Sequence, residues 1–303
     1  MVVQAEERFS GHESFVCRYG WLRKAYDGVV AHPGLFTDLD GAIVGLGVGS
    51  NMVKSVEFWA RSFGVIEAAD KKARRYQPTE FGRSLFDAKS GSDPYLEDLG
   101  SLWLLHWKLV RNANLAAWNL VFQDLQEWRV TRSRLADMLQ RRGRRNGAAL
   151  VESTVRQHLD MLISTYSTPK TDDLRALEES LGSPLHELGL INRIELDGAE
   201  TTVEFKVGPK PTLPSKVLLN AVIDHWENVP DAGASISLQE IMFGRLSPGI
   251  VFKLDEGSAI GYLNGFAELT GEQICYRDGS LIRGLQLARN VKLSDVRKRM
   301  RLA

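Results

Sequence analysis

The sequence has few cysteines, no long apolar run and no excess of charge of either sign. Its two cysteines, Cys17 and Cys275, lie at opposite ends of the chain, which excludes a CxxC metal knuckle and a disulfide framework. No stretch reaches the roughly 18 consecutive apolar residues that a membrane span needs. The first residues also lack a basic region followed by an apolar core, as a secretory signal requires. We therefore expect a soluble cytoplasmic protein without a membrane partner.

The charge balance argues against a protein that wraps nucleic acid through overall positive charge, because 38 basic residues cancel 38 acidic ones. The cancellation is uneven along the chain. The segment from Thr131 to His158 contains seven arginines and two acids, a local charge of +5. The segment from Asp172 to Glu204 contains nine acids and two arginines, a local charge of −7. The acidic segment could dock on the basic one within the same chain, so neutrality does not exclude DNA as a ligand.

Helical periodicity first appears near residue 50. Apolar residues at offsets 0, 4, 7, 8 and 11 predict a helix over 51–63: Met52, Val56, Trp59, Ala60 and Phe63. Its opposite face is predicted to be polar and basic with one exposed aromatic: Asn51, Lys54, Ser55, Phe58, Arg61 and Ser62. A shorter helix over 39–46 precedes it, joined by the Gly45-Leu46-Gly47-Val48-Gly49 turn. This turn imitates a dinucleotide-binding fingerprint but lacks its third glycine.

A basic hairpin and a closing helix over 81–86 follow, which is the order of a winged-helix domain. The helical pattern returns over 155–166, after a helix that Thr131 can cap and an arginine-rich connector around Gly143. Beyond Leu213, helices and a hairpin around Asp278-Gly279 suggest a third unit with a basic tail. The predicted fold class is mainly α with small β wings, built from tandem winged-helix (helix-turn-helix) modules.

Three domains are predicted from this order. Residues 1–98 form an N-terminal winged-helix domain, and 99–210 form a helical linker with a second winged-helix-like domain and the acidic segment. Residues 211–303 form a C-terminal winged-helix-like domain with the basic tail.

Double-stranded DNA is the predicted partner, since winged helices place one helix in the major groove while cations of the wing neutralise phosphates. The candidate DNA-binding residues are Asn51, Lys54, Ser55, Arg61, Lys71, Lys72, Arg74, Arg75, Arg132, Arg134, Arg141, Arg142, Arg144 and Arg145. The alternatives are solvated helix faces or contacts to protein.

The candidate catalytic residues are His12, Glu13 and Arg18, because a histidine, a carboxylate and an arginine within seven residues could perform acid-base chemistry or bind a phosphate. The alternative is a structural network that satisfies buried backbone groups. A nuclease would also need a divalent metal, Mg²⁺ or Mn²⁺. Asp197 and Glu204-Phe205-Lys206 resemble a nuclease metal motif, although the spacing is short and the alternation along the strand already explains them as a polar strand face. His106, between Trp103 and Trp107, is predicted to be a core histidine.

Four segments carry a family resemblance: FSGHESFVCRYGWLRKAY, LGVGSNMVKSVEFWARSFGVI, PTEFGRSLF and DPYLEDLGSLWLLHW. Together they resemble a bacterial domain family of unknown function whose genes accompany sulfur-modification operons. The resemblance spans most of the chain and is greatest to the B components of Ssp-type, single-stranded DNA phosphorothioation systems. It implies a DNA-nicking protein with an antiphage role. The partners that it implies are a cysteine desulfurase, an ATPase and an ATP-pyrophosphatase-like sulfur-transfer protein.

The family motif falls on Gly11, His12, Glu13, Phe15, Arg18, Trp21, Asn51, Asp93, Tyr95, Glu97, Trp103, His106 and Trp107. The resemblance does not say which of these residues are catalytic. Ser14 replaces an expected threonine, and Val16 stands where proline is frequent; both departures are conservative.

Overall fold

The structure is a computed structural model that describes residues 7–70, 72, 74–145, 150–167, 182–195, 200–230, 232–279 and 283–300. Helices predominate in these ranges, accompanied by small antiparallel sheets. The prediction of a mainly α protein with small β elements is therefore confirmed. The chain divides into two compact units: residues 1–121 with 125–206, and residues 122–124 with 207–303.

The first unit begins with three helices, a hairpin and a fourth helix. These are α1 (Trp21–Ala31), α2 (Leu39–Leu46), α3 (Ser50–Ser62), β1 (Ile66–Asp70), β2 (Arg75–Pro78) and α4 (Glu80–Phe86). A 3-10 turn, Leu35–Thr37, precedes α2. Asp38 caps α2 by accepting a hydrogen bond from the Gly41 N–H. Gly47 ends α2 in the left-handed conformation, at φ 64°, so the glycine-rich stretch is the predicted turn between helices.

In the remainder of the first unit, the described residues form four helices and a three-stranded sheet. These are α5 (Leu99–Asn112), α6 (Ala116–Asn119), β3 (Arg129–Thr131), α7 (Arg132–Arg145), α8 (Glu152–Tyr166), β4 (Ile191–Ile194) and β5 (Thr202–Phe205). A π-helical turn, Leu120–Asp124, follows α6, and a 3-10 turn, Pro184–Leu188, precedes β4. The sheet is antiparallel with the strand order β3-β5-β4.

One sequence prediction in this region is wrong. The arginines from Arg141 to Arg145 do not lie in a connector, because α7 continues through Arg145. Arginine has a high helix propensity, and cations are favourable near a helix C-terminus. Strands β4 and β5 pair antiparallel, and residues 196–199 between them lie outside the described residues.

The second unit repeats the same strand order. Its elements are α9 (Ser215–Trp226), β6 (Ser235–Ser237), α10 (Leu238–Phe243), α11 (Pro248–Val251), α12 (Glu256–Thr270), β7 (Ile274–Asp278), β8 (Arg283–Leu287) and α13 (Leu293–Met300). Its sheet runs β6-β8-β7, so the strand before the helices pairs with the last strand in both units. Ser237 caps α10 by accepting a hydrogen bond from the Glu240 N–H, and the Glu240 carboxylate contacts His225 at 3.0 Å.

Tryptophans dominate the core of the first unit, where Trp59, Trp103 and Trp118 are fully buried. His106 lies among them, and its Nδ1 is 2.8 Å from the Tyr166 hydroxyl. The prediction of a satisfied core histidine is confirmed. Within the part of the chain that the structure describes, no helix combines the length and apolar composition needed to cross a bilayer.

Candidate nucleic-acid interface

Residues 7–15, which we call the N-terminal segment, cross the polar side of α3. The Ser55 hydroxyl donates to the His12 carbonyl at 2.7 Å, and the Trp59 indole N–H donates to the Phe15 carbonyl at 2.8 Å. The Arg8 guanidinium carbon lies 4.6 Å from the centroid of the Phe58 ring. Ser55 and Phe58 are therefore buried, contrary to the prediction that they face solvent, because this segment covers them.

The Gly11–Phe15 turn within this segment has an unusual backbone. Gly11 has φ 114°, and Glu13 and Ser14 have φ 48° and 64° although they are not glycines. A Cβ on Gly11 would lie 2.9 Å from the Phe58 ring, so only glycine fits there. A non-glycine residue in the left-handed region costs about 1–3 kcal/mol, and such strain clusters at functional sites. The turn leaves the Glu13 and Ser14 side chains exposed.

A histidine pair attaches this turn to α8. His12 Nε2 lies 3.2 Å from His158 Nδ1, and His158 Nε2 accepts a hydrogen bond from the Ala117 N–H at 3.2 Å. The Ser14 N–H donates to His12 Nδ1 at 3.3 Å, so a backbone N–H occupies the outer nitrogen of each ring, and the direction of the bond between the rings depends on their tautomers. Burial, together with the nearby charge of Arg8, lowers the pKa of His12 to about 4. Burial, His12 and Arg8 lower the pKa of His158 to about 3.

These pKa values keep both rings neutral at neutral pH. His12 is also only 3% exposed, so its position suits a role in holding the turn. Glu13 is exposed, and Arg18 lies 5.6 Å above the Trp21 ring with a buried Nε that has no hydrogen-bond partner among the described residues. No hydrogen bond or ion pair joins His12, Glu13 and Arg18 within those residues, and their catalytic assignment stays a prediction.

The α3 face and the hairpin carry most of the first group of candidate DNA contacts. The exposed members are Asn51, Lys54, Arg61, Lys72, Arg74 and Arg75, whereas Lys71 lies outside the described residues. Glu57, which sequence reasoning did not single out, accepts from Arg74 and from the Tyr76 hydroxyl, both at 2.6 Å, and lies 3.7 Å from Arg61. This buried carboxylate partly neutralises two of the cations. The i, i+4 spacing between Glu57 and Arg61 is the sequence signal that could have predicted this ion pair.

Three of the candidate arginines of α7 are held by acids. Arg132 binds Asp160 through both carboxylate oxygens at 2.7 Å. Arg134 binds Glu127 at 2.6 Å, and both side chains are exposed. Exposed pairs of this kind contribute about 0–1 kcal/mol, so a DNA phosphate can replace the carboxylate at little cost.

The third, Arg142, connects α7 to the N-terminal segment. Its guanidinium binds both oxygens of Glu7, at 2.6 and 2.7 Å, and Asn119 also donates to Glu7 at 2.7 Å. Glu7 is adjacent to Arg8, which covers Phe58 of α3. The basic end of α7 and the basic face of α3 therefore flank the same short segment.

The remaining arginines of α7 are Arg141, Arg144 and Arg145. All three are exposed. None makes an ion pair with a carboxylate within the described ranges. These side chains are free to contact an anionic ligand.

The acidic and histidine side chains that the structure describes do not converge on a metal site. Among the described residues, no group of three or more histidine, cysteine, aspartate or glutamate side chains is placed to hold a metal ion. Glu204 of the nuclease-like pattern instead pairs with Arg129 at 3.2 Å across neighbouring strands, and Asp197 lies outside the described ranges. The described residues therefore do not fit a metal held by three protein ligands.

Comparison with known proteins identifies the family. The chain belongs to the family described as "Protein of unknown function (DUF4007)", whose model matches residues 9–299. No curated relative matches the chain. Two similar solved structures are described as "SspB crystal structure" and "Magnesium ion-bound SspB crystal structure". They are 28% and 29% identical to this chain, each with a TM-score of 0.79 over 95% of this chain and 92% of the other. The family resemblance inferred from the sequence is confirmed.

Proposed function

We propose that this protein is the DNA-binding component of a DNA phosphorothioate modification and antiphage defence system, and that it nicks DNA to allow sulfur incorporation. The observation that carries the proposal is the likeness to the SspB structures over 95% of the chain. In this proposal the protein acts in the cytoplasm beside a cysteine desulfurase, an ATPase and an ATP-pyrophosphatase-like sulfur-transfer protein.

Winged-helix modules are part of the proposal, with domains at residues 1–98, 99–210 and 211–303. The sheet orders β3-β5-β4 and β6-β8-β7 support the second and third modules. In each sheet, helices lie between the two strands that come first along the chain. The first module rests on α1 to α3 followed by the β1–β2 hairpin. Its α3 would enter the major groove, because Asn51, Lys54 and Arg61 are exposed there.

The helix in the corresponding position of the second module is α8, and the N-terminal segment already covers part of it. Gln157 donates to the Ser14 hydroxyl, and His158 contacts His12. We therefore assign base contacts to α3 and phosphate contacts to the end of α7. The N-terminal segment between them supports one continuous basic surface on this unit.

The test of DNA binding replaces Arg141, Arg144 and Arg145 with alanine and keeps Arg142, which holds Glu7. Affinity for a duplex should fall, and the slope of log affinity against log salt should decrease by about 0.9 for each phosphate that the variant no longer neutralises. Arg23→Gln, which removes a cation paired with Asp27, is the charge control. Equal affinity and slope in the triple variant and the wild type would remove α7 from the interface.

The proposed nicking centre is the Gly11–Phe15 turn, because it exposes a carboxylate on a strained backbone beside the basic surface. In this hydrolysis, water adds to phosphorus and the bond to one deoxyribose oxygen breaks. Glu13 takes the proton of the attacking water, and the leaving oxygen is protonated from solvent. His12 holds the turn, and Arg18 is the candidate phosphate contact.

Nicking is tested with supercoiled plasmid and Mg²⁺ or Mn²⁺. Open-circular product is expected from the wild type and not from Glu13→Gln, which should still bind DNA because the side chain is exposed. Glu80→Gln replaces another exposed glutamate and should leave nicking intact. No product with either metal, together with binding to a specific operator, would favour the alternative of a non-catalytic winged-helix regulator. Neither activity would favour an adaptor that recruits the sulfur-transfer proteins.

A further inference from the structure

Arg8 occupies a position that the proposed DNA contacts do not include. Its N–H donates to the Asn114 carbonyl at 2.9 Å, and its carbonyl accepts from the Ala116 N–H at 2.9 Å. The backbone is thus fixed on both sides, and the side chain lies over the Phe58 ring at 4.6 Å. The guanidinium is half-buried, and among the described residues its side chain makes no polar contact that holds it in place.

Among the described residues, no carboxylate is a partner of this guanidinium. Glu7, its neighbour in sequence, has both oxygens occupied by Arg142. Within the described residues, Arg8 makes no ion pair and no side-chain hydrogen bond. The charge of Arg61 lowers the pKa of Arg8, and the charge of Arg8 lowers the pKa values of His12 and His158.

This arrangement is unfavourable without a ligand. Burial, and then repulsion by Arg61, lower the pKa of Arg8. The one nearby acid on α3, Glu57, is already bound by Arg74 and Tyr76, and at 3.7 Å from Arg61 it neutralises that cation only in part. A positive charge that is partly removed from water and placed near another positive charge is stabilised when an anion binds between them.

We propose that Arg8 and Arg61 form a phosphate-binding site with the Phe58 ring as its floor. The occupant is a phosphodiester of the bound DNA, so the inference rests on the proposed function and deepens it. An aromatic ring contacts the face of a guanidinium and leaves its in-plane N–H donors for two oxygens of a phosphate. Gly11 keeps the space beside these donors open, since a Cβ there would lie 3.1 Å from Arg8 Nη2. The site places the phosphate next to the turn that carries Glu13.

The experiment compares wild type with Arg8→Gln, Arg8→Lys and the control Arg23→Gln in two assays. The first measures affinity for a short DNA duplex over a series of salt concentrations. The second measures the melting temperature in sodium phosphate and in sodium chloride at matched ionic strength. Circular dichroism establishes that each variant is folded.

Arg8→Gln should bind DNA about tenfold more weakly, with the log-log salt slope reduced by about 0.9. Arg8→Lys should keep the slope and lose part of the affinity, because the charge remains while the planar donors are removed. The melting temperature of Arg8→Gln in chloride should equal or exceed that of the wild type, since an unpaired charge is removed. An arginine with only a structural role would lower it. Arg23→Gln should resemble the wild type in both assays.

The two assays separate failure of this site from failure of the proposed function. If the wild type and Arg8→Gln bind DNA with the same affinity and slope, the site is refuted. If the wild type does not bind DNA, the proposed function fails, and the melting temperatures in phosphate then decide whether Arg8 forms an anion site. Stabilisation by phosphate that disappears in Arg8→Gln would then support a site for free phosphate. Equal stabilisation of both proteins would refute it.

Discussion

The buried His12–His158 pair predicts that the protein loses stability in mild acid. Both pKa values are lowered in the folded chain, to about 4 and about 3, whereas an unfolded histidine has a pKa of about 6.5. The unfolded chain therefore binds protons first as the pH falls. The stabilisation from each neutral ring is fully present above about pH 6.5 and decreases as the pH falls toward the folded pKa.

The stability lost at about pH 5 depends little on how far each pKa is lowered, because both folded pKa values lie below that pH. The loss for each histidine is set by the interval of about 1.5 pH units between pH 5 and the unfolded pKa, which corresponds to about 2 kcal/mol. The two together should cost about 4 kcal/mol between about pH 7.5 and about pH 5. That loss is a large part of the stability of an ordinary domain.

The assay is urea unfolding of wild type and His158→Gln across this pH range. Glutamine keeps an acceptor for the Ala117 N–H but does not titrate. The variant should lose about 2 kcal/mol less than the wild type on acidification. His32→Gln, which removes an imidazole from the surface, is the matched control. Parallel stability curves for wild type and His158→Gln would refute the argument that burial keeps this ring neutral.

Two substitutions in the first module test its packing. Glu57→Gln removes the charge that binds Arg74, so the free energy of unfolding measured in urea should fall by about 1–3 kcal/mol. DNA affinity should rise, because the substitution releases the cations that Glu57 holds. A lower DNA affinity would contradict this reasoning. Gly82→Ala places a Cβ 2.2 Å from the Val65 carbonyl oxygen, so the free energy of unfolding should fall by about 1–3 kcal/mol. Unchanged stability would show that helix α4 can shift to make room for the methyl group.

Local pattern predicted α2, α3, the β1–β2 hairpin and α4, but it did not predict α1. Helix α2 has the predicted bounds, and α3 begins and ends one residue earlier than predicted, because apolar spacing and a glycine turn act over a few residues. The same pattern could not show that Ser55 and Phe58 are buried. They are covered by residues more than forty positions away in the sequence, and helical periodicity contains no information about such contacts.

The candidate site was predicted in part. The family motif included His12, but its partner His158 was not singled out. A signal was present, because His158 lies three residues after Val155 and one before Leu159, on the apolar side of α8. The ion pairs of Arg132, Arg134 and Arg142 could not be predicted, since each joins a side chain of α7 to an acid from a different element.

The strand order shared by the two sheets has a consequence for folding kinetics. Within the first unit, β5 pairs with its neighbour β4 across a short connection and with β3 across about 70 residues. Closing the longer loop costs about 2 kcal/mol more in chain entropy, so β3 should join the sheet after the hairpin has formed. The same holds for β6 in the second unit. In pulsed hydrogen exchange during refolding, amides of β3 and β6 should become protected last, and their protection before the hairpins would contradict this order.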